Sequence, residues 1–248
     1  MRHSTTFLMS LIVASILVLM FLNLVLGSVS IPLKSVWNII CGLGDEPVTW
    51  QNIVWKSRLP QALTALVAGA GLAISGLQMQ TVFRNPLAGP SVLGISSGAS
   101  MGVAFVVLLS GSLGGVALSK LGFMGEIALS IAAVIGSLSV MALIVYVSQK
   151  VKGNVTLLII GVMIGYVANA VIGVLKFFSV EEDIRAYVIW GLGSFSRVSG
   201  NQMMLFVAIM AILIPLSFLL IKTLNLMLLG DGYARNLGLN IKLGHVFW

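Results

Sequence analysis

Charge is what this sequence has least of. Its 248 residues include 14 Lys+Arg and 7 Asp+Glu, or 8% charged. An ordinary soluble domain carries about a quarter. So few charges cannot clothe a water-facing surface, which excludes a conventional globular protein. A hydrophobic content of 58% and a mean hydropathy of +1.09 exclude intrinsic disorder. The single cysteine, Cys41, excludes a disulfide framework and a thiolate metal site within one chain. The two histidines, His3 and His245, lie at opposite ends and make no metal site. No Gly-x-x-x-x-Gly-Lys-Ser/Thr loop occurs, so the chain does not itself hold ATP in that way. No nucleophile–base constellation is legible, so no enzyme activity, catalytic residue or cofactor is expected. The net charge of +7 is scattered singly and offers no stripe for nucleic acid.

What is there instead is a set of long stretches without Lys, Arg, Asp or Glu: 3–33, 59–83, 85–119, 127–149, 153–175 and 198–221. A helix needs about 20 apolar residues to cross a hydrocarbon core of roughly 30 Å. Barrel strands would alternate from face to face, whereas Leu157–Ile164 is apolar all round. The reading is an all-α polytopic membrane protein in a lipid bilayer. Its spans fall at about 7–27, 60–80, 91–110, 127–148, 155–176 and 200–221. The first apolar run is too long for a signal peptide and is taken as an uncleaved span. The positive-inside rule does not orient the chain. With the N-terminus inside, seven basic residues fall on each side.

Small residues recur at four-residue spacing in Gly94/Gly98/Gly102, in Gly161/Gly165/Asn169/Gly173 and in Ala65/Gly69/Ala73. Each set shares one helix face. Such a face is either a helix–helix seam or the smooth wall of a substrate path. Asn169 within its stripe is either a structural hydrogen-bonding group or part of that path. Two prolines and a glycine interrupt the chain at Phe83-Arg84-Asn85-Pro86-Leu87-Ala88-Gly89-Pro90. The small, polar residues that follow suit a re-entrant helix or a loop leading into a tightly packed helix start. Glu181-Glu182-Asp183 is the only run of three acidic residues, either a solvated loop or a contact surface. Beyond the sixth span, Leu229–Gly238 reads as a short helix outside the membrane. Asp231 would be its N-cap and Gly238 its stop. Alone it would be too short to be stable, so it needs a surface to dock on.

These residues together resemble the permease subunit of ABC importers for ferric siderophores, heme and vitamin B12. Arg58-Leu59-Pro60 is similar to the family's Arg-Leu-Pro-Arg at the second span. A longer block carries most of the likeness: Ser75-Gly76, Met79-Gln80, Phe83, Asn85-Pro86-Leu87-Ala88, Pro90, Leu93-Gly94, Ser96 and Gly98. Trp190-Gly191-Leu192-Gly193-Ser194-Phe195 resembles a motif before the sixth span. Gly230-Asp231, Ala234 and Leu237-Gly238 resemble the coupling segment.

The resemblance implies about ten spans, a cytoplasmic N-terminus in the inner membrane and a pathway between two permease copies in a homodimer. It also implies ATPase subunits below and a periplasmic or lipoprotein substrate-binding protein above. By resemblance, Gly230, Asp231, Ala234, Arg235, Leu237 and Gly238, within a cytoplasmic segment of about 222–242, would couple to the ATPase. Arg58, with help from Lys56, would contact the binding protein. Gln61 replaces the motif's second arginine, which puts one expected contact in doubt. Gly69, Gly165 and Asn169 are placed nearest the path. The whole is expected to be one permease domain lacking the family's last four spans. Two other readings stay open: an ion-coupled secondary transporter, and a non-functional truncated remnant. The substrate is open among the family's three classes.

Overall fold

A computed structural model gives the fold and describes residues 2–112, 123–151 and 153–228. Every regular element among them is helical. The long ones are α1 (Arg2–Val25), α4 (Leu59–Phe83), α5 (Ile95–Ser112), α6 (Phe123–Ser148), α7 (Asn154–Phe177) and α9 (Gly200–Phe218). Apart from α5, these are long and apolar enough to cross a membrane. The apolar part of α5, Ile95–Leu109, is shorter than a crossing usually needs. The third span, expected from about 91, therefore starts late. Its first residues are turns, because Pro86 and Pro90 break the helix and Gly94 adopts φ +73°.

Shorter helices fill the segments between spans. α2 (Leu33–Cys41) buries Ser35, Val36 and Ile39. It stops at Gly42 in the left-handed conformation, where the Leu43 N–H donates to the Asn38 carbonyl at 2.8 Å. α3 (Val48–Ile53) runs without a break through a π-turn, Val54–Arg58, into α4. α8 (Glu181–Gly191) carries Glu181, Glu182 and Asp183 in its first turn. The acidic run is therefore not a loop. Carboxylates suit that position because the free N–H groups of a helix start favour negative charge. α10 (Ile221–Leu228) follows α9.

The chain divides into two compact units. One holds Met1–Leu72 and Ser194–Leu216. Its core joins Leu24, Ile31, Val36, Ile39, Val54 and Ala62, so the end of α1 packs on α2 and on the α3–α4 rod. The other holds Ala73–Gly193 and Ser217–Trp248, described as far as Leu228. It has two clusters. Phe83, Ala88, Leu93, Val140, Ile144 and Leu157 draw the α4–α5 turn region onto α6 and α7. Val103, Ala104, Val107, Leu108, Ile172 and Tyr187 dock α7 and α8 on α5. The Ser179 hydroxyl adds a hydrogen bond to the Leu108 carbonyl at 3.1 Å, and Lys176 Nζ lies 4.8 Å over the Tyr187 ring.

Between these clusters α5 is pressed against its neighbours backbone to backbone. A Cβ on Gly98 would sit 2.7 Å from the Gly136 carbonyl oxygen, and one on Gly102 would collide with the Ala132 carbonyl. Only glycine permits this approach, the packing used by helices in lipid. The outer faces are apolar and bare, as Phe7, Met9 and Leu19 on α1 and Leu138 on α6 illustrate. That exposure is normal against hydrocarbon and prohibitive in water.

Candidate functional site

The polar cleft of the second unit forms where α5 begins against the middle of α7. Gly94, in the left-handed conformation, has no Cβ to strike the Gly161 carbonyl oxygen, which would lie 2.7 Å away. Gly165 is similarly close to Ser97, whose Oγ would be 3.3 Å from a Cβ there. The two backbones meet, and the turn before α5 lies directly on α7. An open cleft of about 300 Å³ results, lined by Ser91, Val92, Gly94, Ser97, Val162, Gly165, Tyr166 and Asn169. Asn169 and Tyr166 are exposed. The cleft thus presents an amide, a phenol and two serine residues on a wall made smooth by glycine. Such a surface can hydrogen-bond a polar solute without holding it by charge.

A second cleft of about 530 Å³ runs along the outside of the α5–α6 seam. Met101, Phe105, Ile131 and Ile135 line it, and Ser139 is its one hydroxyl residue. Its chemistry is that of the surrounding lipid.

Of the residues placed nearest the path, Gly165 and Asn169 come together in the polar cleft. Gly69 lies in the first unit, exposed on α4, with no described atom beyond its own helix within 4 Å of a Cβ built there. Ser91 and Tyr166 were not foreseen as lining residues.

Arg58 is not the surface residue that a contact role needs. It is 4% exposed, beneath the end of α1. Its Nη1 donates to the carbonyls of Leu24 and Val25, each at 2.8 Å, and its Nη2 donates to the Val29 carbonyl. The last carbonyls of a helix have no intrahelical partner, and Arg58 supplies one. Gly27 leaves the necessary room, since a Cβ there would lie 2.8 Å from Nη2. The neighbouring cation, Lys56, is exposed.

In α8, Glu181 and Glu182 face solvent while Asp183 is buried, its Oδ2 without a hydrogen-bond partner. Burial, and secondarily the charge of Glu182, raise the Asp183 carboxyl above its ordinary range. Among the described residues no group of three or more His, Cys, Asp or Glu could hold a metal. The expected coupling residues Gly230, Asp231, Ala234, Arg235, Leu237 and Gly238 lie outside the described residues. What is described is the approach to them, α10, whose Leu224 and Met227 are buried. The Arg84 guanidinium donates twice to the Met227 carbonyl, from Nε at 3.1 Å and Nη2 at 2.8 Å.

Apolar helices joined by glycine seams, with a polar cleft where two of them meet, define a polytopic membrane protein. The chain belongs to the FecCD transport family, which it matches over residues 15–248. It is 34% identical over 219 residues to the hemin transport system permease protein HmuU of Yersinia pestis, covering 88% of this chain and 62% of that protein. It is 37% identical over 194 residues to the vitamin B12 import system permease protein BtuC of Serratia proteamaculans, covering 78% of this chain and 55% of that one. A solved inward-facing structure of a metal-chelate type ABC transporter superposes with a TM-score of 0.74 at 25% identity, over 94% of this chain and 68% of the other. The chain thus spans a little over half the length of the curated relatives it matches. The family confirms the resemblance drawn from the motifs, and the superposition confirms the all-α polytopic permease fold.

Proposed function

We propose that this chain acts as the permease of an ABC importer in the inner membrane and carries a bulky metal chelate, heme or cobalamin. The observation that carries the reading is the polar, glycine-walled cleft at Ser91, Ser97, Gly165 and Asn169, in a chain of this family. A pathway for large solutes needs small side chains, and it needs polar groups without fixed charge so that nothing binds too tightly to leave. Ferric siderophore is one substrate within that class. Energy comes from separate ATPase subunits, which dock on the segment after α10. A second copy of the permease supplies the other wall of the pathway. The N-terminus lies in the cytoplasm, which puts Lys56 and α8 on the outer side, where a substrate-binding protein approaches. Lys56 takes the contact role there, because the Arg58 guanidinium is committed to α1.

An ion-coupled mechanism is less well supported. Of the six long helices only α6 carries a carboxylate, Glu126, in its first turn. Ion-coupled carriers place ionisable groups deeper. The test is co-expression with an ATPase and a binding protein from the same genome, followed by reconstitution into vesicles. Substrate uptake should require ATP and the binding protein. Uptake that follows an ion gradient without ATP would overturn the proposal.

A further inference from the structure

Arg84 stands where helices ordinarily place glycine. It is the first residue past the end of α4, with φ +48°, the one positive φ at a non-glycine among the described residues. The Asn85 N–H reaches back to the Gln80 carbonyl at 3.1 Å and the Arg84 N–H to Thr81 at 3.3 Å. This is the double-bonded helix stop that favours glycine, because a Cβ is strained there. Retaining an arginine at such a position calls for a use of its side chain. Its guanidinium grips the carbonyl of Met227, at the last turn of α10, with two hydrogen bonds. The two residues are 143 apart in sequence.

The loop on the other side of Arg84 is knit by its own bonds. Asn85 Oδ1 accepts from the Leu87 N–H at 2.9 Å, and Gln80 Nε2 donates to the Pro86 carbonyl at 3.1 Å. The Ala88 N–H donates to Asn85, Val92 to Gly89 and Gly94 to Ser91. Ala88 and Leu93 are buried anchors. A loop so tied, with two prolines, moves as a piece. It ends at Ser91, Val92 and Gly94, which are walls of the polar cleft. One strut therefore joins the end of α10 to the cleft, with Arg84 as its joint.

We propose that Arg84 is the positioning residue through which a displacement of the segment following α10 reaches the cleft. This rests on the reading that the ATPase docks on that segment. A guanidinium suits the joint because its planar fork holds one carbonyl from two nitrogens and fixes direction as well as distance. Lysine would keep the charge and lose the fork.

Two readouts test the joint. Spin labels at Leu87 and Leu228, both exposed, report the joint directly in the full chain after Cys41→Ser removes the one native thiol. The distance distribution should be narrow with Arg84, broad in Arg84→Ala and intermediate in Arg84→Lys. The second readout is uptake per ATP hydrolysed in the reconstituted complex. Arg84→Ala should lower that ratio about fivefold or more, while hydrolysis holds. If Arg84→Ala does not accumulate, Arg84→Lys carries both measurements. An unchanged distance distribution in the variant overturns the joint, whatever the ATPase does. A normal uptake ratio with a broadened distribution overturns the coupling role. Failure of the unaltered chain to capture an ATPase overturns the functional reading, and the coupling role with it.

Discussion

The glycine stripe of α5 and the small-residue stripe of α4 share one spacing and meet different surroundings. Gly94, Gly98 and Gly102 are pressed onto α6 and α7 so closely that a single added carbon would strike carbonyl oxygens. At Gly69, at the centre of the α4 stripe, no described neighbour lies within reach of a Cβ. α7 shows both behaviours on one face. Gly161 meets Leu93 in the turn before α5, Gly165 meets Ser97 of α5, and Gly173 meets nothing within 4 Å. The spacing specifies a smooth face, and the fold decides whether that face becomes a seam or stays open. In a permease the open kind is available for a second subunit or a solute.

The sharpest way to break this comparison is to enlarge one residue on each stripe. Gly98→Leu should cost about 3 kcal/mol or more, because the carbonyls it strikes belong to rigid helices. In detergent it should fail to give a monodisperse, thermally cooperative species. Gly69→Leu should change stability by no more than about 0.5 kcal/mol, as at an uncovered site. Equal damage from both would mean that the α4 face is covered as fully as the seam.

Arg58 extends the contrast to charged groups. Arg58→Met leaves two carbonyls at the end of α1, and that of Val29 beyond it, without their donor and should cost roughly 2–4 kcal/mol in thermal unfolding. Lys56→Glu should leave the melting temperature unchanged and weaken capture of the binding protein, measured by surface plasmon resonance. A destabilised Lys56→Glu would erase the division between cap and contact.

The two clefts supply a third, smaller contrast. Asn169→Leu should lower uptake about tenfold, equivalent to roughly one hydrogen bond, while Ser139→Val in the apolar cleft should leave uptake unchanged.

The smallest effect is at α8, where the exposed Glu182 and the buried Asp183 adjoin. The folded-state carboxyl of Asp183 titrates above its unfolded value, so the native state binds its proton more tightly. Stability contributed here is present at low pH and lost as pH rises through the raised value. Asp183→Asn should remove that dependence and gain up to about 1 kcal/mol at neutral pH, since it spares the burial of a charge. Glu182→Gln should do much less. Melting curves from pH 4 to 8 compare the two.

Much of this architecture is legible before folding, for a physical reason. Lipid forbids charge, so charge-free stretches mark the long helices, and the stretches 59–83 and 153–175 fall within a residue or two of α4 and α7. α2, α3 and α8 were not legible by that rule. They lie between spans, where charge is allowed and helices are held by a few buried residues such as Val36 and Tyr187. Within the site, the stripe gave Gly165 and Asn169. Ser91 and Tyr166 join them only because Gly94 turns the chain back onto α7. The role of Arg58 could not be read from its motif, since its acceptors are carbonyls of residues 24, 25 and 29, which any sequence would supply.

The π-turn at Val54–Arg58 carries a consequence for genetics. It holds one residue more than an α-helical turn needs. Deleting a single codon within it would leave hydropathy, length and family likeness nearly untouched. Because the surplus residue is taken up within one turn, its loss would close that turn to α-helical geometry and keep Trp50 and Ile53 in phase with Ala62 in the core around α1 and α2. Elsewhere in the rod each residue turns the chain by about 100°. The same deletion placed in α3 would look just as silent on a hydropathy plot and would swing Trp50 away from that core.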